Sequence, residues 1–330
     1  MTTGSAQPET TSGGPAWRER LFTTLQRRGA IAVLILVVAV ASLAFDNFLT
    51  AQNLQNIVLQ GAFLGLIVVG MTFVIISGGI DLSVGSMVGL GGVLAALTVQ
   101  ASWLLALILP TLLCGLIGLG NGLLIARAKM APFIVTLAGL LGIRGLALAF
   151  AHERPIHIDE GSTFTWFGQG QIFGISVPVI LVILTFAVGG LILARTSYGR
   201  VIFAIGGSEE SARLMGLSVD RTKVIAYTTS GALAGLAGSL LAARLATGDP
   251  NAGLAWELDA ISAVVVGGTL LTGGAGSMSG SLAGVLLLSI LQNLINQLGT
   301  LGSYAQQLVS GFFLIVVVVA QAYLTRNRTY

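Results

Sequence analysis

Charge is what this sequence has least of. Only 9% of its 330 residues are Asp, Glu, Lys or Arg, against roughly 25% in soluble domains, and a water-facing surface cannot be built from so few. A single cysteine, Cys114, excludes a disulfide framework and a paired-thiol metal site. The two histidines, His152 and His157, flank Glu153 and Asp159 with nothing to fix a ligand geometry, so no metal is expected. Lys and Arg never run longer than two together, and despite a formal net charge of +3 no nucleic-acid partner is expected. The phosphate cradle G-x-x-x-x-G-K-[ST] is missing, so the chain should bind neither ATP nor any other cofactor itself. Cys114 has no base near it in sequence and neither histidine lies in an apolar run, so no catalytic residue is expected and an intramembrane enzyme is disfavoured.

What the chain does have is apolar length. Hydrophobic residues make up 55% of it, in runs such as 31–43, 64–76 and 177–193, which predict an all-α membrane protein. Its 45 glycines suit helices that approach closely in lipid. At about 20 residues per crossing, breaks at polar, Gly and Pro clusters give ten spans: 29–45, 57–77, 81–99, 103–126, 131–151, 175–194, 222–244, 257–272, 276–297 and 302–324. Residues 1–28 read as a disordered tail with a basic flank, 29–325 as one membrane-spanning domain, and 326–330 as a second tail. Ser42-Leu43-Ala44 has the look of a signal cleavage site, but the spans that follow favour an uncleaved first helix. Ten crossings put both termini on one side. All of the 16 Lys and Arg except Arg144, Arg154 and Arg244 then fall on that side, so N and C termini are expected to be cytoplasmic.

Displacing the chain by 176 residues superimposes Asp81 to Gly92 on Glu257 to Gly268 without a gap. Leu82, Ser86, Val88, Gly91 and Gly92 meet identical residues, and Asp81 meets Glu257. The two stretches would cross in opposite senses, an inverted repeat of spans 2–5 and 7–10, which is a recurring plan for transporters. Asp81 follows Ser77-Gly78-Gly79 and is expected near a helix start, where a carboxylate suits the dipole. Arg144, deep in span five, needs a partner, and Glu257 is the structural candidate. Asp81, Arg144 and Glu257 are therefore structural or gating candidates.

The outer loop 152–175 carries the aromatic stretch Thr163-Phe164-Thr165-Trp166-Phe167-Gly168, read as an interfacial belt or a docking surface. The long polar insertion 195–221 must meet something soluble. Ser208 followed by Glu209 and Glu210 predicts a capped helix start, and Gly216 predicts its stop.

Three stretches together resemble the ribose, arabinose and xylose type of ATP-binding-cassette permease, in the larger family that also holds branched-chain amino acid permeases. They are Val74 to Gly85, with Gly78-Gly79-Ile80-Asp81-Leu82-Ser83 at its centre; Asn121-Gly122 through Pro132-Phe133-Ile134-Val135-Thr136-Leu137 to Arg144-Gly145; and Gly199-Arg200 through Val219. The resemblance implies a monosaccharide importer of the bacterial plasma membrane, with ATP and Mg²⁺ on a separate ATP-binding subunit. It also implies a solute-binding protein outside and a second permease copy or paralogue. Within it, Ser208, Glu209, Glu210, Ala212, Arg213, Leu214 and Gly216 would couple to the ATPase, although Gly207-Ser208 and Ser211 depart from the commoner pattern. Groups that bind hydroxyls weakly could line a sugar path: Asn121, Phe133, Thr136, Gln292, Asn293 and Asn296. A branched-chain amino acid permease is the nearest rival. An ion-coupled transporter would want acids inside the spans, whereas most here lie at span edges.

Overall fold

The computed structural model describes residues 31–298 together with 308, 311, 312 and 315. Twelve helices occur among them: α1 (Ile31–Ala44), α2 (Ala51–Ile76), α3 (Val84–Thr98), α4 (Trp103–Ala126), α5 (Pro132–Phe150), α6 (Trp166–Gln169), α7 (Val177–Arg195), α8 (Ser197–Gly207), α9 (Glu209–Leu214), α10 (Val219–Leu245), α11 (Trp256–Val266) and α12 (Met278–Leu298). Four two-residue strands form two ladders. β1 (Ile156–His157) pairs antiparallel with β4 (Thr247–Gly248), and β2 (Gln171–Ile172) pairs with β3 (Ile175–Ser176).

Among the described residues, α2, α4, α5, α7, α10 and α12 are long and apolar enough to cross a membrane, while α1 and α3 are shorter apolar helices. The tenth expected span, 302–324, lies outside the described residues except at four positions, as do the tails 1–28 and 326–330.

Helix α10 is central, packed most extensively on α4 and then on α3 and α2. It is the least apolar of the six long helices, and small residues let it sit inside the bundle. A side chain at Gly231 would run into the carbonyl of Cys114, at Gly235 into that of Pro110, and at Gly238 into that of Val88. The helices thus touch backbone to backbone, where dispersion replaces the missing hydrophobic drive. Helix α2 is buried along most of its length and runs antiparallel to α12. Asn293 Nδ2 donates to Asn53 Oδ1 at 2.9 Å near one end, and Thr72 Oγ donates to Ser281 Oγ at 2.9 Å toward the other.

Two ends can be told apart. Arg127, Lys129, Arg195, Arg200, Arg213, Arg221 and Lys223 collect at the ends of α4, α7, α8, α9 and α10, hereafter the basic end. The ladders lie at the opposite, hairpin end.

The expected third and eighth spans are cut short. Helix α3 has 15 residues and α11 has 11, about 22 and 16 Å at 1.5 Å per residue, less than the ~30 Å of a hydrocarbon core. Residues 81–83 stay outside α3 because the Asp81 side chain takes the Ser83 N–H at 3.1 Å. Helix α11 stops at Gly267, and Gly268 follows at φ +89°, a conformation an L side chain resists. Before α11, residues 246–255 run inward from the hairpin end. Gly248 packs on Gly92 and Gly253 on Gly85, so α11 starts well inside the bundle.

Candidate functional site

The expected capped segment forms as α8 and α9, joined through Ser208. The Ser208 hydroxyl accepts from Ser211 N–H at 3.2 Å, capping α9, whose first turn carries Glu209 and Glu210. Gly216 follows the helix at φ +73°, in the left-handed region that ends helices. Ala212 is buried against Ile205 and Val219, whereas Leu214 is almost fully exposed.

Charge anchors this short helix to the bundle. Arg213 donates to Glu209 at 2.9 Å and also pairs with Asp220; Lys223 pairs with Glu209; Lys129 reaches Asp220 at 3.1 Å. Partial burial raises the Glu209 carboxyl, but hydrogen bonds from Lys223 and Arg213 outweigh it and hold the group below its ordinary value. Asp220, Lys223 and Lys129 escaped the sequence reading because nothing in their spacing says that the start of α10 and the end of α4 flank α9.

Two path candidates and one gating candidate gather elsewhere. Asp81 is wholly buried, its carboxyl accepting from Ser83 N–H, from Ser83 Oγ and, at 2.9 Å, from Ser230 Oγ of α10. Asn121 Nδ2 donates to Ser83 Oγ at 3.1 Å. Thr136 Oγ donates to the carbonyls of Pro132 at 2.9 Å and Ile80 at 3.3 Å, and Tyr227 Oη also donates to Ile80 at 3.3 Å. Asn121 and Thr136 are therefore engaged around residues 80–83. Ser83, Tyr227 and Ser230 were not anticipated; hydroxyl residues in apolar helices carry no sequence mark of their partners.

The α12 amides sit apart from that cluster. Gln60 Nε2 donates to Gln292 Oε1 at 3.5 Å, and Gln297 Nε2 donates to Asn53 Oδ1 at 3.2 Å beside the Asn53–Asn293 bond, so Gln292 and Asn293 join α12 to α2. Asn296 and Phe133 are exposed, Phe133 on the outward face of α5.

Arg144 finds carbonyls first. Its Nη1 donates to Pro250 and, at 2.9 Å, to Ala252, and its Nη2 to Gly85 at 3.2 Å. Glu257, its expected partner, also borders Gly85 and acts on Arg144 as a nearby opposite charge. The guanidinium thus fastens the inward-running segment 246–255 to α3 and α5. Among the described residues no cluster of three or more His, Cys, Asp or Glu is arranged to hold a metal ion.

Residues 53–319 match the family described as branched-chain amino acid transport system / permease component. The chain belongs to that permease family. Among its relatives, the permease is 42% identical to the ribose import permease protein RbsC of Bacillus subtilis (strain 168) over 298 residues, 89% of this chain and 92% of that one. It is 38% identical to the ribose import permease protein RbsC of Escherichia coli (strain K12), covering 91% of this chain and 95% of the relative. To the L-arabinose ABC transporter permease protein AraH of Azospirillum brasilense it is 36% identical, over 98% of this chain and 97% of the relative. No solved structure matches the permease. It is a multi-pass membrane protein and a transport component rather than an enzyme.

Proposed function

We propose that the permease is the membrane-spanning subunit of an ATP-driven importer that carries a monosaccharide of the ribose or arabinose class across a bacterial plasma membrane. The observation that carries the substrate class is the likeness, over about nine-tenths of the chain, to permeases named for ribose and arabinose. The family description names branched-chain amino acids, which keeps those as the second reading. ATP and Mg²⁺ belong to a separate ATP-binding subunit, since the chain lacks the phosphate cradle. A solute-binding protein delivers the sugar at the hairpin end, and a second permease copy or paralogue completes the pathway.

The basic end faces the cytoplasm, together with both termini, following the bias of Lys and Arg to that side. The chain crosses ten times, with spans 2–5 and 7–10 as inverted repeats. This reading is supported by α3 and α11, two shortened helices that each follow a long helix and a non-helical stretch, 77–83 after α2 and 246–255 after α10. Helix α9, short, capped and half exposed at the basic end, is the element an ATP-binding subunit grips. Closure of the ATP-binding subunits moves α9, and the bundle changes between inward-open and outward-open states. Asp81, Arg144 and Glu257 hold the two non-helical stretches, so they shape the gates without touching the solute.

The test is uptake by proteoliposomes holding the permease, its ATP-binding subunit and its binding protein, with labelled ribose, arabinose, xylose and leucine. ATP-dependent accumulation of a pentose and not of leucine is expected. Accumulation of leucine alone would assign the second reading, and uptake on an ion gradient without the ATP-binding subunit would remove the importer assignment.

A further inference from the structure

Two independent routes lead from α9 to the bend at residues 77–83. The first runs through α10. Glu209 and Arg213 are tied to Lys223 and Asp220 at its start; farther along the same helix Tyr227 donates to the Ile80 carbonyl and Ser230 to Asp81. The second runs through α8, which ends one residue before the α9 cap. Gly206 lies against the Ile76 carbonyl and against Gly274, and Gly274 N–H donates to that same carbonyl at 3.0 Å. Any side chain at 206 would occupy the space of both neighbours, so α8, the end of α2 and the loop after α11 meet main chain to main chain.

Beyond the bend the connections spread. Ser83 leads directly into α3 and accepts from Asn121 of α4, while Thr136 of α5 donates to Ile80. Residues 80–83 therefore gather α3, α4, α5 and α10 around one buried carboxyl, which has three donors and no exposure. A carboxyl at that depth is costly unless its neighbours hold it, so its bonds fix the bend's shape closely.

We infer that the 77–83 bend is the point at which displacement of α9 enters the bundle, and that Asp81 is the positioning residue that makes the bend move with α10. This rests on the coupling role proposed for α9. A bend that only completes the core would contribute to assembly and nothing else. A transmitting bend sets how much solute moves per ATP hydrolysed.

The experiment measures sugar uptake and ATP hydrolysis in the same proteoliposomes, with the complete complex carrying wild-type permease, Asp81→Asn, Ser230→Ala or Glu209→Lys. Asp81→Asn keeps the volume and replaces one accepting oxygen by a donor amide; Ser230→Ala removes only the α10 arm and leaves Asp81 bonded to Ser83. Expected are a fall of about tenfold in solute moved per ATP for Asp81→Asn and about threefold for Ser230→Ala, with binding-protein-stimulated hydrolysis retained, as for a coupling energy between two sites. Unchanged ratios in both variants overturn the inference. So does a loss of uptake and hydrolysis in equal proportion to a loss of assembled complex. If Asp81→Asn does not assemble, Ser230→Ala alone decides on the same criterion. Glu209→Lys separates the two levels. Intact stimulated hydrolysis there defeats the α9 reading itself, whereas its abolition beside wild-type ratios in the Asp81 and Ser230 variants defeats only the bend.

Discussion

Replacing Arg144 by Met keeps most of the side chain's apolar stem and removes the guanidinium that ties the segment before α11 to α3 and α5. In the wild-type protein the guanidinium donates three hydrogen bonds, to the carbonyls of Pro250, Ala252 and Gly85. A bond involving a charged group contributes about 1.5–3 kcal/mol net, and an acceptor left unpaired away from water costs about as much again. The Gly85 carbonyl faces along α3 and keeps its helical bond, and Arg144 is only partly buried, so the full sum does not apply. A loss of roughly 3 kcal/mol for Arg144→Met follows, and about half that for Arg144→Lys, whose ammonium is a point donor without the fork that spans two carbonyls. Unfolding of the purified permease in mixed micelles by graded SDS reads this difference. A cysteine introduced at Asn251 should also become labelled faster in the Met variant, because the segment loses its tether. If Arg144→Met unfolds at the wild-type midpoint and Asn251→Cys reacts at an unchanged rate, the carbonyl bonds do not hold the segment.

Three further outcomes follow from the geometry. Gly206→Ala should lower the yield of folded permease severalfold, because its methyl would enter the Ile76 carbonyl and Gly274, whereas Gly207→Ala should be silent, with nothing within 4 Å of the added carbon; size-exclusion recovery compares them, and equal recovery would show that the junction yields easily. The Glu209 contribution to α9 docking is present above the ordinary glutamate value, about 4.3, and is lost as pH falls through the lower folded-state value, so protease protection of α9 should stay constant from about pH 8 to 5 and decline only below about 4. Loosening between pH 7 and 5 would contradict the ion-pair assignment. A cysteine at Ser208 should react with an impermeant reagent only from the cytoplasmic face of oriented vesicles, and one at Gly161 only from the other face; the reverse pattern inverts the topology.

The regular spans were legible because each has its own boundary chemistry. Pro132 at the first turn of α5 and Pro178 at that of α7 mark starts that the reading located within two residues, and the Ser208 cap with Gly216 marked α9. Helix α2 starts at Ala51 rather than 57, since Gln52, Asn53, Gln55 and Asn56 read as a polar boundary although Thr50 caps the helix and Asn53 bonds across to α12. Helix α11 was drawn too long because Val264-Val265-Val266 runs on into Gly267-Gly268 with no charge to stop it, and the stop is a backbone angle.

The site was less legible than the fold, for a physical reason. Asn121, Thr136 and Arg144 were singled out as polar groups in apolar spans and Asp81 by the repeat and the helix break before it, all of them signals along the sequence. What they touch is set by packing: Ser230 lies 149 residues from Asp81, and the Pro250 carbonyl 106 from Arg144. Gln292 and Asn293, read as path residues, bond to Gln60 and Asn53, whose polarity looked like an ordinary span edge. The two-residue ladder of Ile156–His157 with Thr247–Gly248 is too short for any alternation to show.

The central claim is that this permease is driven through α9 by a separate ATPase, and the most direct measurement is ATP hydrolysis by the reconstituted complex with and without sugar-loaded binding protein. Wild type is compared with Glu209→Arg, Arg213→Glu and the exchanged pair. The account predicts that loaded binding protein stimulates hydrolysis in wild type, that each single reversal abolishes the stimulation, and that the exchange does not restore it, since it rebuilds the Glu–Arg pair but sets the exchanged charges against Lys223 and Asp220. Stimulation that survives both single reversals, with the complex intact, would contradict it.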